Sequence, residues 1–302
     1  MKVQVRNYQN KARLLVQALK EKGVSVVDDH ANVLLIDFDG PVYPYPQMIQ
    51  RAYEESAEIV LYSHGAPVIT AWDGIWKPGP ITRLYLAQSE GQKVVMNAYG
   101  YPHPIKTIGW HFCEQKEFQP VANVKKVLFA PEHTMVDGYM LLQTREIIKK
   151  VYKILLELPF QLTTRYVGEL YMLGLEKSPG AFYQQANLDM DGSIKAIDEA
   201  EVVITYPGTF ATLAVARGKP VVVYGQDICP HDGYSDKMIK YVKHWDDYRE
   251  FMRYPYDISN KSHKAVEGII RHAAVNEAVE WRNRFIGEQM KANVLVDTLR
   301  AL

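Results

Sequence analysis

The segment 200–225 has the pattern of an anion-binding turn between a strand and a helix. A strand predicted at 201–205 leads into Pro207, Gly208 and Thr209, and an alanine-rich stretch follows. Glycine allows a ligand to approach the backbone, and the first amides of a helix lie at the positive end of its dipole. We predict that a diphosphate binds these amides and the Thr209 hydroxyl, although an ordinary crossover turn has the same pattern.

A pair of aspartates, Asp37 and Asp39, follows the apolar run Val33–Ile36. This segment resembles the first motif of haloacid-dehalogenase-type phosphatases, in which one aspartate attacks phosphorus and the next handles the leaving-group proton beside magnesium. Ser63 would then serve as the second motif, and 218–220 would supply the lysine. Because no acidic pair cleanly completes this set, phosphatase activity is an alternative and not the leading prediction.

Two Asp-x-Asp sequences, at 37–39 and 189–191, resemble the metal site of GT-A transferases. Short acidic turns have the same pattern, and the order of elements along the chain disagrees with that architecture. We therefore expect metal-independent chemistry, with no cofactor beyond the co-substrate.

Composition excludes several classes of protein. The chain has 35 Lys and Arg against 35 Asp and Glu, so no global field would hold it on nucleic acid or an anionic membrane. Its two cysteines, Cys113 and Cys229, are far apart, which argues against a disulfide framework or a zinc cluster. No apolar stretch approaches the roughly 18 residues of a membrane span. These features predict a cytoplasmic protein with no membrane span.

Short apolar runs alternate with helical patterns, which predicts an α/β fold with parallel strands. The length of 302 residues favours two domains, at 1–122 and 123–276, followed by one long amphipathic helix at 277–302. The predicted strands are 24–27, 33–37, 59–62, 94–97 and 105–108 in the first domain, and 125–130, 160–167, 201–205 and 220–224 in the second.

The order of strand, Gly208-Thr209, alanine-rich helix, 218–220 and second strand resembles the nucleotide-binding half of GT-B glycosyltransferases. It also resembles the related CDP-glycerol glycerophosphotransferases and UDP-sugar 2-epimerases. The segments 127–133 and 165–168 resemble the first strand with its loop and the end of the second strand. The resemblance implies two Rossmann-like domains facing a central cleft, with a C-terminal helix that crosses back to the N-terminal domain.

Three further residues are implied in donor binding by this resemblance. Arg165 would neutralise diphosphate charge, because a guanidinium matches phosphate oxygens at two points; a strand-end salt bridge is equally compatible. His133 would contact the donor phosphate or sugar, or else cap the following helix. Asp227 would bind a ribose or sugar hydroxyl. The glutamate that many GT-B enzymes use for ribose has no unambiguous counterpart, so the donor nucleotide is left open.

On the acceptor side, a histidine-glycine pair after an N-domain strand faces the acceptor in such families. By resemblance His64 is the general base and Gly65 lies beside the acceptor; a structural role at the strand end fits His64 equally. Asp73 is the substitute base, and Trp72 and Trp76 would stack on a sugar or base.

The leading prediction is a metal-independent glycosyltransferase that moves a sugar from a nucleotide-sugar donor to a hydroxyl acceptor. The acceptor is a small molecule, a glycan or modified DNA such as a hydroxymethylated base. A CDP-glycerol-type glycerophosphotransferase, a phosphatase using Asp37 and Asp39, and a non-catalytic nucleotide-sugar-binding protein are the alternatives. Inverting or retaining stereochemistry and the oligomeric state are left open.

Overall fold

The computed structural model describes residues 1–6, 11–37, 45–63, 82–98, 101–131, 135–136, 139–140, 142–166, 182–183, 190–226 and 250–302. These residues form two compact units. The first comprises the described residues of Met1–Glu114 and Asn283–Leu302, and the second comprises those of 115–282. The sequence placed the corresponding boundaries at 122/123 and 276/277.

The elements of residues 1–114 alternate between strands and helices. They are β1 (Lys2–Val5), α1 (Arg13–Glu21), β2 (Ser25–Val27), β3 (Val33–Ile36), α2 (Tyr45–Glu54), β4 (Glu58–Tyr62), β5 (Thr82–Ala87), α3 (Glu90–Ala98) and β6 (Ile105–Thr107).

The remaining elements follow in the same alternating rhythm. They are β7 (Lys126–Ala130), β8 (Met135–Val136), β9 (Tyr139–Met140), α4 (Leu142–Glu157), β10 (Gln161–Tyr166), β11 (Phe182–Tyr183), α5 (Met190–Glu199), β12 (Val202–Thr205), α6 (Thr209–Ala216), β13 (Val221–Val223), α7 (His263–Ala273), α8 (Val279–Phe285) and α9 (Ala292–Arg300).

The first unit is built on a six-stranded parallel sheet of order β2-β1-β3-β4-β5-β6. Strand β3 is buried along its whole length because both faces of the sheet are covered. Val33 and Leu35 face a cluster that includes α1, whereas Leu34 and Ile36 face a cluster that includes Ala52 of α2. This alternation of faces follows from the two-residue period of a strand.

The C-terminal residues return to the first unit. Leu295 and Leu299 of α9 are buried in the same cluster as Leu15 and Leu19 of α1. The predicted single helix over 277–302 is wrong, because α8 ends at Phe285 and α9 begins at Ala292. Gly287, with a φ of +62°, turns the chain between the two helices.

The segment 94–97, predicted as a strand, lies inside helix α3. Val94 is 50% exposed while Val95 and Met96 are both buried, so one side of this helix faces the core and the other faces solvent. The strand that fills this part of the sheet is β5, which the sequence did not predict. Short apolar runs cannot be assigned by periodicity alone, and here the tertiary pairing decides.

The second unit contains a five-stranded parallel sheet of order β11-β10-β7-β12-β13. The predicted unit of strand, helix and strand is present as β12, α6 and β13. Every residue of α6 after Thr209 is buried, so this helix is fixed between the sheet and its surroundings. The antiparallel pair β8 and β9 precedes α4, which begins at Leu142.

The chain after Glu114 is fastened to the second unit by its backbone. The amide of Lys116 donates to the Ala216 carbonyl at 2.8 Å, and the amide of Val121 donates to that of Ala274 at 2.7 Å. Asp198 accepts hydrogen bonds from Lys116 and Arg217, at 2.9 Å and 2.6 Å for Oδ2. Burial raises the pKa of Asp198, but these two cations outweigh burial and hold it below its usual value.

Within the described ranges, no helix combines the length and apolar character that crossing a membrane requires. In the same ranges, no three His, Cys, Asp or Glu side chains converge to hold a metal ion.

The turn after β6 allows a prediction about the stability of the fold. Gly109 has a φ of +95°, and a Cβ there would lie 2.8 Å from Met290 Cα. Gly109→Ala should therefore lower the free energy of unfolding by about 2 kcal/mol or more, measured by urea denaturation. The control is Gly268→Ala in α7, where an added Cβ meets open space and should stabilise by up to about 1 kcal/mol. Equal effects of both substitutions would contradict the strained turn.

Candidate functional site

The carboxyl edge of the second sheet gathers the ends of β7, β10, β12 and β13. Open parallel sheets bind ligands at this edge, because the strand ends and helix starts meet there. The Thr205 hydroxyl donates to the Ala130 carbonyl at 2.7 Å, which ties the end of β12 to the end of β7. The strand end that leads into α6 is therefore held in place.

Helix α6 begins at Thr209, and Gly208 is its N-cap in an extended conformation. The amide of Thr212 donates to the Gly208 carbonyl at 3.2 Å, and the Thr212 hydroxyl donates to the Thr209 carbonyl at 2.8 Å. Gly208 and Thr209 are half-buried, whereas Pro207 and Phe210 on either side are buried. The helix start is thus held firmly with its two predicted ligand-binding residues accessible, at the positive end of the helix dipole.

Arg165 brings a cation to this helix start. It lies near the carboxyl end of β10 and is only 2% exposed. Its guanidinium carbon lies 4.5 Å from the centre of the Phe210 ring, in the first turn of α6. The structure therefore brings Arg165 together with the helix start that the sequence predicted as an anion site. A guanidinium removed from water interacts with an anion more strongly than one at the surface.

The turn after β13 is fixed by side chains that sequence reasoning missed. The Gly225 amide donates to the Ser259 hydroxyl at 2.6 Å, and that hydroxyl donates to Asp257 Oδ2 at 2.9 Å. The Gln226 side chain both donates to and accepts from the backbone of Tyr254. The pair Asp257-x-Ser259 is the sequence signal that could have revealed this brace, because Asp and Ser commonly bond to nearby backbone.

Only part of the predicted site can be compared with the structure. Arg165, Pro207, Gly208 and Thr209 are described and lie together at the carboxyl edge of the second sheet. The other predicted donor, acceptor and base residues lie outside the described residues: His64, Gly65, Trp72, Asp73, Trp76, His133 and Asp227.

The phosphatase alternative needs Asp37 and a lysine from 218–220 in a single domain. Asp37 is buried in the first unit, whereas 218–220 belongs to the second. The Lys219 ammonium donates to the Asp198 carbonyl at 3.0 Å and to the Gln119 side chain at 3.3 Å. Lys219 is therefore bonded to residues of the second unit. Asp37 and Lys219 do not belong to a single domain, as the phosphatase motifs would require. Asp39 lies outside the described residues.

The first sheet also collects polar residues at its carboxyl edge. The sequence drew attention to Asp37 and Ser63 as phosphatase candidates and missed Gln88 and Gln92. Asp37, Ser63 and Gln88 directly follow β3, β4 and β5, and all three are buried. The Gln92 amide donates to the Ser63 hydroxyl at 2.7 Å and to the Tyr85 hydroxyl at 3.0 Å. Gln92 Oε1 accepts the Gln88 backbone amide at 2.8 Å, so one side chain joins the ends of two strands.

His111 completes this edge. Its ring lies edge-on to Tyr62, with centroids 5.9 Å apart, and its Nδ1 lies 3.4 Å from the Gly109 carbonyl oxygen. Burial lowers the pKa of His111 to about 4, although the backbone carbonyls of Gly109 and Ser63 raise it. The imidazole is therefore neutral at pH 7. The strand predicted at 105–108 ends three residues before this side chain.

Comparison with known proteins gives a fold and no close relative. No model of a known protein family matches the chain, and no curated protein matches it in sequence. A mutant of the wall teichoic acid polymerase TagF matches with a TM-score of 0.57 at 11% identity, over 99% of this chain and 89% of that chain. The spinosyn rhamnosyltransferase SpnG matches with a TM-score of 0.51 at 13% identity, over 99% of this chain and 100% of that chain.

A third structure is a mutant of S. aureus TarM in complex with fondaparinux, alpha-GlcNAc-glycerol and UDP. It matches with a TM-score of 0.50 at 12% identity, over 95% of this chain. This chain spans only 57% of the length of that TarM chain. The fold is GT-B. The GT-B resemblance found in the sequence is thereby confirmed for the fold.

The buried imidazole leads to a pH prediction. The folded pKa of His111 is about 4, below its ordinary value of 6.5, so the unfolded chain binds one more proton between these values. Its contribution to stability is complete above pH 6.5 and is lost as the pH falls towards 4. When the pH is lowered from 6.5 to 5, the free energy of unfolding should therefore fall by about 2 kcal/mol less in His111→Phe than in the wild type.

Urea unfolding at a series of pH values measures this difference. The control is Phe112→Leu, which disturbs the same buried cluster and leaves the titrating group in place. It should keep the wild-type pH dependence. Parallel curves for wild type and His111→Phe would contradict a buried neutral imidazole.

Proposed function

We propose that this protein is a cytoplasmic glycosyltransferase that uses a nucleotide-sugar donor, and that the donor diphosphate binds at the start of α6. The observation that carries the proposal is the buried Arg165 guanidinium beside the first turn of α6. A fixed cation and a helix N-terminus at one carboxyl edge form a site for a dianionic group. The GT-B fold is consistent with this assignment and by itself indicates no substrate.

The chemistry required of this site is stabilisation of a leaving group. An acceptor hydroxyl oxygen attacks the anomeric carbon of the sugar, and the bond from that carbon to the diphosphate oxygen breaks. The electron pair goes to the diphosphate, where Arg165 and the helix dipole stabilise the added charge. The hydroxyl proton passes to a general base, which the sequence predicts to be His64, with Asp73 as its substitute. No metal ion is required in this scheme.

Glycerophosphate transfer is the second candidate. Of the three structures compared, TagF has the highest TM-score, 0.57. Another TagF structure comes from a crystal soaked with CDPG. A glycerophosphotransferase would use the same diphosphate site but would undergo attack at phosphorus. The released nucleotide separates the two candidates, because sugar transfer releases a nucleoside diphosphate and glycerophosphate transfer releases a monophosphate.

Nucleotide binding gives the first test. UDP, CDP, GDP and ADP should be screened by thermal shift, because a ligand that binds only the folded state stabilises it by about 2.7 kcal/mol at a hundred times Kd. One of these nucleotides should raise the Tm of the wild type. Thr209→Trp should abolish the shift, because the indole would fill the space in front of the helix start.

Arg165→Met should weaken binding of the same nucleotide about tenfold or more, since it removes one charged hydrogen-bonding partner. The matched control is Arg271→Met. Arg271 also lies over an aromatic ring, 5.3 Å from the centre of Phe160, but it is an exposed residue of α7. This control should bind like the wild type. If no nucleotide shifts the Tm, or if Arg165→Met binds normally, the proposed donor site is wrong.

Chelation tests the metal-independent step. After the thermal shift has identified the nucleotide, release of nucleoside diphosphate from the matching nucleotide sugar should be the same with and without EDTA. A loss of turnover that magnesium restores would overturn the proposed leaving-group stabilisation by Arg165 and the helix dipole alone.

A further inference from the structure

Two side chains at the carboxyl edge of the first sheet have unused hydrogen-bonding capacity. Gln88 and His111 are both 0% exposed. Among the residues that the structure describes, none hydrogen-bonds to the amide nitrogen or oxygen of the Gln88 side chain, or to Nε2 of His111. Buried polar atoms are nearly always paired in folded proteins, because leaving them unpaired costs stability. Two such side chains at one sheet edge therefore require an explanation.

Strand register and the contacts of His111 bring the two residues to neighbouring strand ends of this edge. Strand β5 lies between β4 and β6, with Leu86 opposite Tyr62 and Ala87 opposite Thr107. Gln88 is the next residue after β5. His111 follows β6, yet its ring lies edge-on to Tyr62 of β4, and the Ser63 backbone at the end of β4 raises its pKa. The imidazole therefore extends across the end of β5, where Gln88 is located.

The backbone that carries His111 is held rigidly. The Trp110 amide donates to the Glu288 carbonyl at 2.8 Å, and the Met290 amide donates to the Trp110 carbonyl at 2.9 Å. The Gln289 side chain also donates to the Trp110 carbonyl, at 2.8 Å. If the unpaired atoms were only a packing defect, the surrounding backbone would be expected to relax. This turn is instead fixed by three hydrogen bonds between Trp110 and the segment 288–290. The position of His111 is therefore built into the fold.

The chemistry of the pair indicates an uncharged ligand group. Because His111 Nδ1 faces a carbonyl oxygen, its hydrogen is assigned there, and Nε2 offers a lone pair. The Gln88 amide offers both donors and an acceptor. A hydroxyl group complements this set, since it donates to Nε2 and exchanges a hydrogen bond with the amide. A charged group would have no countercharge from either side chain.

We propose that Gln88 and His111 form the subsite for an uncharged hydroxyl of the acceptor, so that the acceptor is a neutral polyol such as a sugar or glycerol unit. This inference rests on the proposed transferase function. Since both side chains are buried, the hydroxyl reaches them only with a local opening of this edge. Gln88 and His111 are here binding residues, and the general base is a separate group.

Stability and binding should change in opposite directions if the inference is correct. Gln88→Met and His111→Phe remove unpaired polar atoms from a buried position, so each should keep or raise the Tm of the unliganded protein at pH 7. Each should also weaken polyol binding about tenfold, the effect of one lost hydrogen bond. The matched controls are Gln50→Met on the surface of α2 and His103→Phe before β6, which should leave polyol binding unchanged.

The experiment titrates glycerol and methyl glucosides into the intact protein, saturated with the nucleotide found above. Saturation-transfer NMR reports binding, and the ¹⁵N shift of His111 Nε2 reports its new hydrogen bond. Sodium acetate and tetramethylammonium chloride serve as charged probes. The expected result is polyol binding with a moved Nε2 signal, weakened in Gln88→Met and His111→Phe and not in the controls.

Several outcomes would overturn the inference. Wild-type protein that binds nucleotide but no polyol would do so, as would polyol binding that survives both substitutions or a charged probe that binds at Nε2. A lower Tm in Gln88→Met would show that internal water satisfies the amide and that its role is structural. Absence of any nucleotide shift in the wild type would instead refute the proposed function, so the two failures are distinguishable.

Discussion

Parallel pairing of every strand in the two large sheets is the constraint on which the described structure depends. Parallel strands need crossover connections, and these cover both faces of each sheet. The strand interiors must then be apolar, as Val33–Ile36 and residues 202–204 are. Polar groups are left to the strand ends, and all carboxyl ends of one sheet lie at the same edge. Each unit therefore has one edge suited to ligands.

The two carboxyl edges differ in charge although they arise from the same topology. The second sheet combines a helix start with the buried Arg165 guanidinium, which favours an anion. At the edge of the first sheet, Gln88, Gln92 and His111 are buried and uncharged, and the acidic side chain of Asp37 is buried at the end of β3. The low pKa of His111 keeps the group of Gln88, Gln92 and His111 neutral at pH 7. In the proposed transferase, the edge of the second sheet would bind the charged donor, and the uncharged residues of the first sheet would bind an uncharged acceptor.

Each unit is completed by chain that is distant in sequence. Residues 115–121 belong to the second unit because their amides bond to Ala216, Gly218 and Ala274. Helix α9 and the segment 288–290 belong to the first unit, where they cover α1 and fix the turn that carries His111. This is why a boundary drawn from composition at 122/123 differs from the compact units. Hydrogen bonds to residues distant in sequence decide which unit a segment belongs to, and local composition does not reveal these bonds.

The sequence by itself determined the α/β class, the β12–α6–β13 unit and the helix start at Gly208 and Thr209, because these depend on local pattern and turn chemistry. Only the tertiary structure decided the rest. An apolar run at 94–97 suits a strand or a helix, and pairing of β5 in the sheet resolved it. The contact of Arg165 with Phe210 and the burial of His111 are likewise non-local. Strand order and return of the C-terminal segment create these environments, and no spacing of neighbouring residues encodes them.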